Sequence, residues 1–210
     1  MHHVRHHDGN ERAATPALGD EDVLRADLYG LLSALRRGPA SAEMLGALAA
    51  LEGDDSDAGR AVGALARLAA TTDAATVARE YHDLFIGVGR GELVPYGSYY
   101  LTGFLNEKPL GLLRNELARM GVERSDAVRE PEDHIAALME VMEGLIRRRF
   151  GAGGLGEQAR FHAAHVAPWA SHFFSDLEGA RASRLYAPVG TIGKTLMAVE
   201  GDAFAMAGAA

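Results

Sequence analysis

The chain contains no cysteine. That excludes disulfides, thiolate-held iron–sulfur clusters and any zinc site built on cysteine, and it suits a reducing compartment. No apolar run approaches the roughly 18 residues that a membrane span requires. The opening stretch MHHVRHHDGNERAATPALGD lacks the apolar centre of a signal peptide. Both absences point to the cytoplasm and to no stable membrane insertion. Cations are in deficit, with 21 Lys and Arg against 29 Asp and Glu and a formal net charge of −8. General nucleic-acid binding needs clustered cations on phosphates, so it is not expected here; a basic partner remains compatible. Strand-like alternation, internal repeats, a Gly-x-Ser-x-Gly nucleophile elbow and a His-Glu-x-x-His zinc motif are all missing as well.

What is present is helical periodicity. Residues 1–19 read as a His-rich tail with no apolar period. His2, His3, His6 and His7 offer metal ligands that nothing pre-organises, so a floppy tail is the simpler reading. From Asp20 the spacing of Leu24, Leu28, Leu31 and Leu35 predicts one inner helix face, and Gly38-Pro39 stops that helix. Ser41 caps a short second helix through Leu51, and an alanine-rich third covers about 57–70. Asp73 caps a fourth, with Val77, Tyr81, Leu84, Phe85 and Val88 on its inner face. Pro95 to Phe104 allows one or two turns. Pro109 opens a helix with Leu113, Leu117 and Met120 inside and Gly121 as its stop.

Glu130-Pro131-Glu132-Asp133-His134 opens the clearest helix, whose inner face is Ile135, Leu138, Met139, Met142, Leu145 and Ile146. Acids at its start and Arg147, Arg148 and Arg149 at its end suit the helix dipole. GAGGLG at 151–156 is a flexible joint. A helix interrupted near Pro168 follows, with Phe161, His165, Trp169, Phe173 and Leu177 inside, and a last helix spans roughly 185–204. The chain is therefore all-α, with about eight to ten helices.

Four clusters invite a chemical reading. LFIGVGRGE at 84–92 looks like a phosphate loop, yet it lacks the lysine, the hydroxyl, the spacing and the flanking strand that phosphate loops use. A helix stop with Gly87 or Gly89 left-handed is the simpler account, and Arg90 reads as a solvated turn residue. Glu130, Asp133 and His134 can serve acid–base chemistry, or Glu130 and Asp133 can simply cap their helix. His162, His165 and His172 read as core or surface histidines, because Pro168 breaks any metal geometry. In Pro95-Tyr96-Gly97-Ser98-Tyr99-Tyr100 the tyrosines either offer contact area for a peptide or pack beneath the loop.

Together these pieces resemble a known family. The order Tyr81-x-x-Leu84-Phe85-x-Gly87, Pro95-x-x-Ser98-x-Tyr100 and Glu130-Pro131-x-Asp133-His134, followed by Phe161-x-x-x-His165-x-x-Pro168-Trp169-x-x-x-Phe173, is similar to the TorD/DmsD redox-enzyme maturation chaperones. The resemblance covers about residues 20–205. It implies an all-α fold of two lobes, about 20–125 and 126–205, joined by a hinge near the Glu-Pro-x-Asp-His motif. It implies a cytoplasmic chaperone and not an enzyme. Its partner is the apo form of a molybdopterin oxidoreductase, formate dehydrogenase or a DMSO/TMAO-reductase-like enzyme, and the enzyme's twin-arginine leader; its role is to hold back export and to assist cofactor insertion. Members bind no cofactor of their own, although weak GTP binding is ascribed to some, and they occur as monomers or domain-swapped dimers. The residues implied for peptide binding are Tyr81, Leu84, Phe85, Pro95, Tyr96, Ser98, Tyr100, Glu130, Asp133 and His134; Tyr96 stands where some relatives carry tryptophan. The alternative is a nucleotide-binding or -hydrolysing protein using the Gly87–Gly91 loop.

Overall fold

The computed structural model describes residues 18–123, 130–151 and 154–208, and among these there are ten α-helices and no strand. In chain order they are α1 (Asp20–Arg37), α2 (Ala42–Ala49), α3 (Asp57–Thr71), α4 (Ala74–Phe85) and α5 (Gly97–Thr102). Then come α6 (Lys108–Arg119), α7 (Ile135–Ile146), α8 (Leu155–Phe161), α9 (Ala170–Gly179) and α10 (Tyr186–Gly208). The all-α expectation is met. The N-terminal histidines and residues 124–129 lie outside the described residues.

Local signals placed several helix ends. Ser41 accepts from the Met44 amide at 3.1 Å, Ser56 from Gly59 at 3.0 Å and Asp73 from Thr76 at 2.9 Å. Each such cap contributes about 1 kcal/mol. Acids fill the first turn of α1 and Arg36 and Arg37 its last, as the helix dipole favours.

Packing is organised around α7. Ile135, Leu138, Met139, Met142, Leu145 and Ile146 are buried as predicted, and so are Ala136, Val141 and Gly144 on its other side. α1 runs along it, tied by the Ser33 hydroxyl donating to the Ala136 carbonyl at 2.9 Å. α10 packs on α9 and α3, with α2 outside α3. The apolar core is one cluster that reaches from Ala26 to Met197.

Three expected faces differ from the structure. In α1 the buried residues are Ala26, Tyr29, Leu32, Ser33, Leu35 and Arg36, whereas Leu24 is exposed. The helix is rotated because its polar inner residues find partners that an apolar pattern cannot anticipate. Val88 lies beyond the end of α4 and is fully exposed. Between α8 and α9 the chain makes a π-helical segment, His162–Val166, so the inner position passes from His165 to Val166.

Candidate functional site

Two motifs 35 residues apart in sequence are laced together. Tyr96 and His134 form an antiparallel bridge. Ile135 donates its amide to the Pro95 carbonyl and Gly97 donates to the Asp133 carbonyl, both at 2.9 Å. The Asp133 carboxylate accepts from the Ser98 amide at 2.7 Å. Asp133 therefore caps α5 rather than α7, which corrects the sequence expectation. α7 starts at Ile135, and its cap is His134, whose Nδ1 accepts from the Ala136 amide at 3.1 Å. An accepting Nδ1 leaves the ring proton on Nε2. Burial, and secondarily the charge of Arg36, pushes the His134 pKa down to about 3, so the ring is neutral and Nε2–H is a donor.

Around this joint the aromatic residues stack. The Tyr96 ring meets His134 edge-on at 5.1 Å, and its hydroxyl donates to the Glu130 carboxylate. Burial, followed by that bond, raises the Tyr96 pKa above the usual phenol range. Tyr100 lies against Trp169 and Phe173, at ring distances of 5.4 and 6.0 Å, and its hydroxyl donates to Asp176 at 2.8 Å. A Cβ at Gly97 would sit 3.0 Å from the Trp169 ring nitrogen, so any larger residue there would press the indole and α5 apart by a few tenths of an ångström.

The glycine cluster is a tight reversal at the C-terminal end of α4. Gly87 has φ +60°, and a Cβ there would lie 2.1 Å from the Arg90 carbonyl. The Gly87 amide donates to His82 and the Glu92 and Leu93 amides to Asp83 and Leu84, so these donors are committed to the chain itself. A helix C-terminus also carries the negative end of the dipole, which disfavours phosphate. Arg90, expected as a solvated turn residue, donates to the Tyr99 hydroxyl at 3.1 Å.

Two functional-looking features escaped the sequence. Glu80 is buried in α4, and its carboxylate accepts from the amides of Arg184, Leu185 and Tyr186 at 2.7, 3.1 and 2.9 Å. The signal for it is an acid on the Val77–Glu80–Leu84 stripe. The other is Arg36, at the end of α1. It is fully buried, its guanidinium lies 3.1 Å from the Phe85 ring centroid, and Tyr81 and Phe173 stand at 5.5 and 5.7 Å. None of its three side-chain nitrogens has a hydrogen-bond partner. Burying a charge without a counterion costs several kcal/mol, and cation–π contacts return about 2 kcal/mol when desolvated. Burial pulls its pKa down to about 10, which leaves it charged at neutral pH.

The predicted site residues thus fall into three places. Tyr81, Glu130 and His134 line a cleft of about 360 Å³ together with Arg36. Phe85, Pro95 and Tyr96 line a second, about 490 Å³, rimmed by exposed Ile86 and Phe104. Leu84, Ser98 and Asp133 are buried and shape these surfaces from beneath, while Tyr100 is half-buried against Trp169. Among the described residues no cluster of three or more His, Asp or Glu side chains is arranged to hold a metal, and no helix is long and apolar enough to cross a membrane.

This joint of two motifs and the helices that carry it occupy a region that matches a known family. The sequence model described as nitrate reductase delta subunit covers residues 51–175, more than half of the chain. The chain belongs to that family. Curated relatives of the family include the chaperone protein TorD of Vibrio vulnificus YJ016, 36% identical over 90 residues, 41% of this chain and 42% of the relative. TorD of Vibrio cholerae N16961 is 37% identical over 86 residues, 40% of this chain and 39% of the relative. The chain thus spans about two fifths of the length of the curated relatives it matches. The fold resembles a crystal structure from Archaeoglobus fulgidus, of a protein assigned to redox enzyme maturation. The TM-score is 0.53 over 90% of this chain and 99% of that one, at 16% identity. The likeness to TorD proteins agrees with the resemblance carried by the four motifs.

Proposed function

We propose that this protein is a cytoplasmic maturation chaperone that binds an apo molybdopterin oxidoreductase, its twin-arginine leader, or both. The observation that carries the reading is the joint between Pro95–Tyr100 and Glu130–His134, where two distant motifs are hydrogen-bonded into one unit. That unit sets carboxylates beside an exposed apolar surface. Glu130 and Glu132 stand at the mouth of one cleft, and Phe85, Pro95, Tyr96 and Phe104 line the other. A twin-arginine leader presents guanidinium groups next to an apolar stretch, and guanidinium pairs best with carboxylate. The Arg114 side chain that now donates to Glu132 at 2.8 Å shows the kind of partner these acids accept. An acidic net charge speeds the encounter with a basic leader.

Isothermal calorimetry with leader peptides from formate dehydrogenase, DMSO/TMAO-reductase-like and nitrate reductase clients tests the proposal. One leader should bind in the micromolar range, and replacing both its arginines with glutamine should weaken it about tenfold or more. Binding of neither a leader nor an apo-enzyme would refute the proposal.

A further inference from the structure

Within the first cleft the donors and acceptors are sorted. Its inner wall holds Arg36, fully buried, with no hydrogen-bond partner for its guanidinium nitrogens. Beside it is His134, whose committed Nδ1 makes the other ring nitrogen a donor. The mouth is acidic, with Glu123, Glu130 and Glu132. Donors without acceptors at the inner end call for an anion. Acids at the mouth disfavour a multiply charged one such as a phosphate ester, and they welcome a cation. We propose that this cleft binds a peptide segment carrying one carboxylate beside a basic residue, with the carboxylate on Arg36 and His134 and the basic group at the glutamates.

Tyr81, Leu117 and Val141 supply apolar walls for the backbone between those two charges. The ligand differs from a leader that offers only arginines: it must also present an acid. This deepens the peptide-binding reading and rests on it, so its test keeps the two apart.

The probe is acetyl-Leu-Glu-Ala-Arg-Leu-amide, with its glutamine counterpart as control, titrated into the full chain. The acidic peptide should bind about tenfold tighter, as a charge-assisted bidentate bond implies. Arg36→Met should abolish that gap. In the unmodified protein the Arg36 Nε–H resonance should move downfield with the glutamate peptide and stay in place with glutamine, a readout independent of whether the variant folds. Equal affinity of the two peptides, a gap that survives Arg36→Met, or no saturable binding at millimolar concentration would overturn the assignment. If a twin-arginine leader binds while the Glu/Gln gap is missing, this inference falls and the chaperone reading stands. A Glu/Gln gap with binding of neither a leader nor an apo-enzyme does the reverse.

Discussion

Helix α1 carries two arginines about three turns apart, one part-buried and one fully buried, and they are treated in opposite ways. Arg25 is matched. Its guanidinium grips Glu200 of α10 through two bonds of 2.6 and 2.8 Å, and reaches Asp22 at 2.8 Å and Gln158 at 3.2 Å. Tyr29 adds its hydroxyl to the same fully buried carboxylate at 3.2 Å. Arg36 is buried more completely and has only aromatic rings. The hydrogen bond to Glu200 lifts the Arg25 pKa above its ordinary value, and burial pulls that of Arg36 down to about 10. A matched buried charge joins helices. An unmatched one is a standing cost, retained where an acceptor arrives from outside or where the charge tunes its neighbours.

The comparison breaks most visibly at Glu200. Glu200→Ala leaves Arg25 and the Tyr29 hydroxyl without their acceptor and should cost about 3–5 kcal/mol, read as a fall in urea midpoint at unchanged slope. Replacing Arg25 and Glu200 together by methionine should recover most of that loss, because the pair, not either charge, is what the packing tolerates. A double variant no more stable than Glu200→Ala would show that the network contributes through geometry that methionine cannot reproduce.

Next comes the effect of Arg36 on His134. The folded pKa of His134 is about 3, and an unfolded histidine titrates near 6.5. The depressed value means that the unfolded chain takes up a proton the folded chain refuses. His134 therefore contributes its full stability above about pH 6.5 and loses it as the pH falls toward 3. The expected slope is about 1.4 kcal/mol per pH unit from this group alone. His134→Asn keeps an acceptor for the Ala136 amide and should flatten the slope by that amount between pH 6 and 4. Arg36→Met removes the secondary cause of the depression, so the onset near pH 6.5 should stay in place while the slope levels off at a slightly higher pH and the total loss is smaller. An identical pH profile in all three proteins would contradict the placement of His134 beside the arginine.

These contrasts mark where the sequence was readable. Gly38-Pro39, Ser41 and Asp73 act on residues three or four positions away, so the ends of α1, α2 and α4 follow from local chemistry. α7 was legible as a core helix because its apolar residues recur with the helical period. Its first residue was not, since Asp133 reaches across to the Ser98 amide instead of serving its own helix. The roles of Arg36 and Glu80 escaped for the same reason: they depend on rings and amides contributed from far along the chain, and only the place of Glu80 on an inner stripe hinted at one. Leu24 was misplaced because Tyr29, Ser33 and Arg36 occupy the inner face that an apolar count assigns to leucines. The motif residues were recognisable as a set, yet only the fold separates those that line a cleft, such as Tyr81 and His134, from Leu84 and Ser98, which lie beneath the surface.

The smallest expected effect is the most discriminating. Arg36→Met keeps the length and apolar stem of the side chain and removes the unmatched charge. It sacrifices about 2 kcal/mol of cation–π attraction to Phe85 and its neighbours, and it removes a desolvation cost of similar or larger size. Folding stability should therefore stay within about 1 kcal/mol of the parent or rise. Arg25→Met alone should behave in the opposite sense, since it strands the buried Glu200 carboxylate. Thermal melts of the two variants side by side measure the difference directly. If Arg36→Met loses as much as Glu200→Ala, the guanidinium is a structural post stacked on aromatic rings and the two arginines of α1 do the same job. If it melts with or above the parent, the charge at the inner end of the cleft is held for something other than folding.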